Sequence, residues 1–309
     1  VLDELDFDGI HLDQYGDPKA AMDASGKSFP LDEPIAETID LTKDLVTAHD
    51  PEGVVIFNAV NNWPIEEVAQ TEQDVVYIEV WPPHIWYSDI HRLIVEAQAL
   101  SGGKPVVLAA YIDPTFEHNA RLLNAVIFAS GGGHIELGEG AGMLADPYFP
   151  EYKAMSPDLA EAMARYYDFT VRYQDVIGPR AAEATRAYRE KLAVNGASTD
   201  PRLQINKVWP LVRESEGHLA VSLVNLQEIG TPEWTEEADG APAPLGPTEV
   251  RLTGLDREVG AVWTASPDGE DLSPQELDFA AFEDQDGAGI RVEIPDLNYW
   301  RLIVLEWKD

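Results

Sequence analysis

The sequence predicts an α/β fold: the C-terminal five βα units of a (β/α)8 TIM barrel, followed by an all-β sandwich domain. Three observations predict it. Five short apolar runs alternate with helical patterns, as expected of a parallel sheet with crossover helices. Polar residues stand at the C-terminal end of run after run, the pattern of a barrel mouth. Beyond residue 195 the pattern changes to short alternating segments separated by turn residues, which reads as a sandwich.

The runs are residues 7–13, 53–60, 75–81, 105–112 and 133–137, mostly rich in Val and Ile, as in strands buried on both faces. Helical patterns cover 35–48, 65–69, 87–101, 119–130 and 157–177; Gly102-Gly103 stops the third and Ser156-Pro157 opens the last. A doubly wound sheet would carry a Gly-rich phosphate loop after a strand, but Gly131-Gly132-Gly133 precedes one. If 157–177 is the closing helix, 133–137 is strand eight and 7–13 is strand four. Residues 1–195 are then a partial barrel whose first three strands are absent, and 196–309 a C-terminal sandwich. The chain starts Val1-Leu2-Asp3, so the true N-terminus and any signal peptide are expected upstream, and the piece alone is expected to be unstable or inactive.

In the second part, strands are expected at 204–212, 218–226, 248–252, 260–266, 289–294 and 299–307, after a linker at 195–201. The Pro- and acid-rich stretch 230–247 reads as a long exposed loop.

The formal net charge of the 309 residues is −35, from 56 acidic and 21 basic side chains. That charge repels nucleic acid and anionic lipid, and no run approaches the roughly 18–20 apolar residues of a membrane span. There is no Cys, hence no disulfide and no thiolate metal site. The acidity reads either as a general solubility device or, the favoured expectation, as adaptation to high salt, where screening removes self-repulsion.

Two runs end on a carboxylate, Asp13 and Glu79. Alternation puts His11 with Asp13 on one strand face, and Tyr77 and Trp81 with Glu79 on another. Strands four and six share parity, so both acids belong to the same layer of a barrel mouth. Paired carboxylates there suit glycosidic cleavage; separations of about 5–5.5 Å go with retention and about 6.5–9.5 Å with inversion, and parity allows either. Aromatic neighbours disfavour charge on Glu79, which suits a general acid; His11, Gln14 and Tyr15 can donate to Asp13, which suits a nucleophile. A single strand-end acid is as readily a helix cap; the pair argues for chemistry. A hard metal site from His11, Asp13, His134 and Glu136 is disfavoured, because no second His stands beside His11, and no cofactor is expected. Trp63, Trp81, Trp86 and Tyr111 at strand ends can stack on sugar rings, and Asn58, Asn61, Asn62 and His134 can bond hydroxyls.

These segments resemble glycoside hydrolase family 66, which comprises endo-dextranases and cycloisomaltooligosaccharide glucanotransferases. The resembling stretches are 7–17 (FDGIHLDQYGD), 57–62 (FNAVNN), 77–82 (YIEVWP), 132–139 (GGHIELGE), 143–150 (MLADPYFP) and 221–227 (VSLVNLQ). The resemblance implies a sandwich, a TIM barrel and a second sandwich, with retention through Asp13 as nucleophile and Glu79 as acid/base. It implies α-1,6-glucan (dextran, isomaltooligosaccharides) as substrate; the contacts expected from the strand-end pattern are His11, Gln14, Asn58, Asn61, Asn62, Trp63, Trp81, Tyr111, Asp113, His134 and Glu136. It also implies an extracellular protein, expected to be monomeric at full length. The family's glucanotransferases carry a sugar-binding module inserted in the seventh βα unit; residues 111–119 leave no room for one, which favours hydrolysis over cyclisation.

Overall fold

The computed structural model describes residues 2–5, 7–16, 18–146 and 152–308. Asp17 and residues 147–150 of the resembling stretches lie outside them. Two compact units are formed from interleaved segments. One takes in the chain up to His84 with Arg92–Ala110 and Gly132–Ile135; the other takes in Ile85–His91, Tyr111–Gly131 and the chain from Glu136 onward.

In the first unit, the apolar runs form one parallel sheet in chain order: Gly9–Leu12, Val54–Asn58, Val75–Glu79, Val106–Ala109 and Gly133–His134. β-branched residues at 54–56, 75–76 and 106–107 suit the pleat. The register pairs His11 with Ile56, Asn58 with Tyr77, and Glu79 with Ala109. The sheet is therefore two-faced. Val55, Phe57, Val76, Ile78, Val106 and Leu108 on one face are all buried, while His11, Ile56, Tyr77, Glu79 and Val107 on the other are exposed or half-buried. Gly9 is the only residue type its place admits, since a Cβ there would fall onto the Val54 carbonyl.

Helix Asp32–His49 opens on Asp32 and Glu33, which complement its N-terminal dipole, and buries Ile39 and Val46. A hairpin, Ala20–Met22 with Ser28–Pro30, was not expected from the sequence. Its strands are too short for a period; its turn is tied by Asp23 Oδ1, which accepts the N–H groups of Ser25 and Lys27.

In the second unit, helix Pro157–Arg172 is capped by Ser156, whose Oγ accepts the Leu159 N–H at 3.2 Å. It buries Leu159, Ala162, Met163, Tyr166 and Phe169 along one stripe, then breaks at Tyr173 before the short helix Gln174–Ile177, where one continuous helix was expected. Two antiparallel sheets follow. Six strands run in the order Ala182–Glu183, Val208–Glu214, His218–Asn225, Trp300–Trp307, Val259–Ala265 and Gln275–Glu276; four run Leu192–Val194, Thr248–Thr253, Gly287–Ile294 and Phe279–Asp284. Leu219, Val221, Leu223, Ile303 and Leu305 of the first share one core with Val250, Leu252, Ile290 and Val292 of the second. His218–Asn225 is buried on both faces because helices Glu117–Ala129 and Gln174–Ile177 pack on its outer side.

The stretch 230–247 contains no regular strand, as expected, but it is not wholly exposed: Trp234 and Ala238 are buried. Asn119 anchors it. Its Nδ2 reaches the carbonyls of Glu233, Trp234 and Glu236 at 2.7–3.3 Å, and its Oδ1 accepts the Ala238 N–H at 2.8 Å.

Candidate active site

The first strand ends at Leu12, and Asp13 follows on the open face of the parallel sheet, exposed. Its Oδ1 accepts the Gln14 backbone N–H at 2.8 Å and Asn58 Nδ2 at 3.0 Å. Its Oδ2 accepts no hydrogen bond from the described residues. The same Asn58 Nδ2 donates to Glu79 Oε2, also at 3.0 Å, and Asn58 Oδ1 accepts the Glu79 backbone N–H at 3.3 Å. Asn58 ends the strand between the two acids and is buried, whereas Glu79 is half-buried.

A shared donor fixes how far apart the acceptors can lie. Two oxygens each about 3 Å from one nitrogen cannot be more than about 6 Å apart, and the divergence of the two N–H bonds of a planar amide sets them at about 5 Å. If both carboxylates were ionised at that range they would repel by about 3 kcal/mol at an effective dielectric constant near 20, less on the solvent side, and a donor between them offsets part of that cost.

Around this pair, His11 packs edge-on against Tyr77, with ring centroids 5.1 Å apart, rather than donating to Asp13. Gln14 reaches Asp13 through its backbone. Asn61 uses its side chain on the loop after Glu79: Oδ1 accepts the Trp81 N–H at 2.8 Å and Nδ2 lies 3.4 Å from the Pro82 carbonyl. Asn62 is buried and donates to the Leu93 carbonyl at 3.0 Å and to Glu96 Oε2 at 3.1 Å. Trp63 is half-buried with Lys19 Nζ 4.2 Å from its ring centre, a cation on a face expected for sugar stacking. Trp81 is half-buried beside Glu79 in sequence. No sequence pattern marked Lys19, which comes from the loop after Asp13.

His134 does not share the carboxylate face. It pairs with Leu108, which pairs with Ile78, so it belongs to the sealed side, buried with Nε2–H donated to the Ala110 carbonyl at 3.0 Å.

The remaining expected residues belong to the second unit. Tyr111 is half-buried. Asp113 accepts the Thr115 N–H and Oγ1–H and pairs with Lys153 at 2.6 Å; the Lys153 ammonium, with the Thr115 donors, holds its carboxyl below the usual range. Glu136 is buried and accepts the Tyr167 hydroxyl at 3.2 Å; burial, and then the neighbouring carboxylate, push that phenol far up. Among the described residues, no group of three or more His, Asp or Glu is arranged to hold a metal ion.

Three comparisons place this geometry among known proteins. A cycloisomaltooligosaccharide glucanotransferase of Niallia circulans is 29% identical over 191 residues, covering 62% of this chain and 20% of the relative. A dextranase of Streptococcus salivarius is 22% identical over 368 residues, covering 99% of this chain and 44% of the relative. The chain thus spans less than half the length of these curated relatives. The crystal structure of a Paenibacillus sp. cycloisomaltooligosaccharide glucanotransferase complexed with cycloisomaltoheptaose has the same fold, with a TM-score of 0.90 at 20% identity over 98% of this chain and 63% of that one. The model of glycosyl hydrolase family 66 matches residues 1–304, sheet, carboxylates and sandwich alike, and the chain belongs to that family of glycoside hydrolase-type enzymes.

Proposed function

We propose that this chain is the C-terminal part of a retaining endo-α-1,6-glucanase. Its parallel strands are strands four to eight of a TIM barrel within residues 1–195, and residues 196–309 are the C-terminal sandwich. The observation that carries the reading is the Asn58 amide spanning Asp13 and Glu79. One amide bonded to both acids holds their bonded oxygens about 5 Å apart, which supports the closer carboxyl spacing of a double displacement.

Asp13 Oδ2 attacks the anomeric carbon while Glu79 gives its proton to the departing glycosidic oxygen. Glu79, now a carboxylate, takes a proton from water, whose oxygen displaces Asp13 and releases a product of retained configuration. The exposed position of Asp13 and the aromatic rings of Tyr77 and Trp81 support an open cleft for a polymer, and the names of the relatives support dextran or isomaltooligosaccharides as that polymer. Such a polymer is met outside the cell, which supports an extracellular enzyme.

The second reading, a cyclising glucanotransferase, has the same first step, with a sugar hydroxyl replacing water in the second. The resemblance to glucanotransferases supports it, and the seven residues 110–116 joining strand Val106–Ala109 to helix Glu117–Ala129 support hydrolysis, since they hold no inserted module. Proton NMR of the first-formed product from an isomaltooligosaccharide tests the proposal in the full-length protein. The α-anomer is expected, with Asp13→Asn and Glu79→Gln each lowering the rate by about 10³-fold or more. An initial β-anomer, or near-parent rates in either variant, would overturn it, and product mass separates linear from cyclic glucans.

A further inference from the structure

We propose that Asn58 is a positioning residue that decides which oxygen of each carboxylate does chemistry, rather than a ligand for substrate hydroxyls. The inference rests on the roles given to Asp13 and Glu79 above. A carboxamide has two N–H donors and one oxygen acceptor. In Asn58 both donors are spent, on Asp13 Oδ1 and Glu79 Oε2, and the oxygen receives the Glu79 N–H. Buried as it is, it has no donor left for a sugar. Because the Glu79 N–H can meet only an acceptor, the amide cannot flip, and its NH2 end is fixed toward the acids.

That orientation breaks the symmetry of both acids. An oxygen facing an N–H cannot itself carry a proton toward that donor. The N–H on Glu79 Oε2 favours the proton on Oε1, and among the described residues Asp13 Oδ2 is the oxygen that accepts no hydrogen bond. In the first step the Oδ2–C1 bond forms, the C1–O bond to the leaving sugar breaks, and the Oε1 proton moves to the leaving oxygen. In the second, Oε1 takes a proton from water, the water oxygen bonds to C1, and the C1–Oδ2 bond breaks. Negative charge passes from Asp13 to Glu79 and back, and Asn58 donates to whichever oxygen bears it without moving.

Among the described residues of the two strands that flank the one ending at Asn58, the titratable groups on the same sheet face are His11 with Asp13 just past the strand end on one side, and Tyr77 and Glu79 on the other. The test uses Asn58→Ala and Asn58→Asp in the full-length protein, with Asp13→Asn alongside, assayed on dextran across pH. Asn58→Ala is expected to lose about 10²-fold in kcat with KM within about threefold, because only charge support in the transition state is removed. Asn58→Asp keeps the shape but donates only when its own carboxyl is protonated, so its rate relative to the parent should climb about tenfold or more from pH 7 to pH 5. A folding defect gives no such recovery, so this readout stands even where Asn58→Ala fails to fold. A raised KM with unchanged kcat in Asn58→Ala, or a pH-independent ratio for Asn58→Asp, overturns the inference. With Asp13→Asn inactive, either result overturns the role of Asn58 alone; an active Asp13→Asn overturns the site assignment and this inference with it.

Discussion

Asn61 clamps the backbone of Trp81: its side-chain oxygen takes the Trp81 N–H at 2.8 Å from a left-handed conformation with φ of 53°. A bulky or β-branched residue at that φ is strained, and only Gly, Asn or Asp adopt it readily. Trp81 lies two residues past Glu79, so the clamp sets the start of the loop that leaves the site. Asn61→Ala should lose both the bond and the favourable backbone, costing about 1–3 kcal/mol in urea unfolding; Asn61→Gly should recover about 1 kcal/mol of that. Equal stability of Asn61→Ala and the parent would show that the clamp carries nothing.

A second expectation concerns Asp268, whose side chain is almost fully buried in the second unit. Its Oδ1 accepts Arg121 at 2.8 Å and the Tyr166 hydroxyl at 2.7 Å; its Oδ2 accepts the N–H groups of Tyr299 and Trp300 at 2.8 and 2.9 Å. Asp268→Asn keeps the size, removes the charge and sets an NH2 against other donors. The loss should be about 3–5 kcal/mol, measured by denaturant unfolding followed on tryptophan fluorescence. A loss below about 1 kcal/mol would mean that the network relaxes around the amide.

His91 gives stability a pH dependence. Burial, partly offset by the Glu183 carboxylate and reinforced by Arg213, pushes its imidazole down to about 4. It is neutral in the fold, beside Ser130 Oγ at 2.9 Å and the edge of Trp209. The unfolded chain takes up its proton near pH 6.5, so stability is full above that pH, declines as pH falls toward 4 and declines no further below. The decline attributable to this group is about 3 kcal/mol. His91→Gln should flatten the stability curve over that window by a similar amount; an unchanged curve would remove His91 as its source.

Net charge makes a fourth expectation. At −35 the fold is opposed by its own field, and salt should relieve it. Between 0.1 and 2 M KCl the melting midpoint should rise by roughly 5–10 °C, since screening shortens the Debye length from about 10 Å to under 3 Å. A flat midpoint would count against salt adaptation.

The parallel strands were legible because continuous Val- and Ile-rich runs survive burial on a covered face, and the carboxylates because strand ends inherit the parity of the strand. What escaped was short or cooperative. Ala182–Glu183, Leu192–Val194 and Gln275–Glu276 are too brief to show a period, and Phe279–Asp284 is too acidic to read as a strand. Asn58 was visible as a polar strand end, yet its tie to two acids depends on the register of three strands at once. Asn61 and Asn62 look like hydroxyl ligands in a sequence; their left-handed backbones and bonds to neighbouring loops appear only in three dimensions. His134 was visible only as a polar residue near a strand end; the register that puts Gly133, not His134, in line with Tyr77 through Val107 cannot be read from the sequence.

The uneven hydrogen bonding of Asp13, one oxygen held by two donors and the other by none of the described residues, has a consequence for the ester that the proposed mechanism forms. Oδ2 becomes the bridging oxygen, and Oδ1 becomes the carbonyl oxygen, still facing Gln14 N–H and Asn58 Nδ2. Those donors draw electron density toward the carbonyl, which makes aspartate a better leaving group when water arrives. The intermediate is thus held in a form already inclined to break on the correct side, and the same two bonds that orient the nucleophile also limit the lifetime of what it makes.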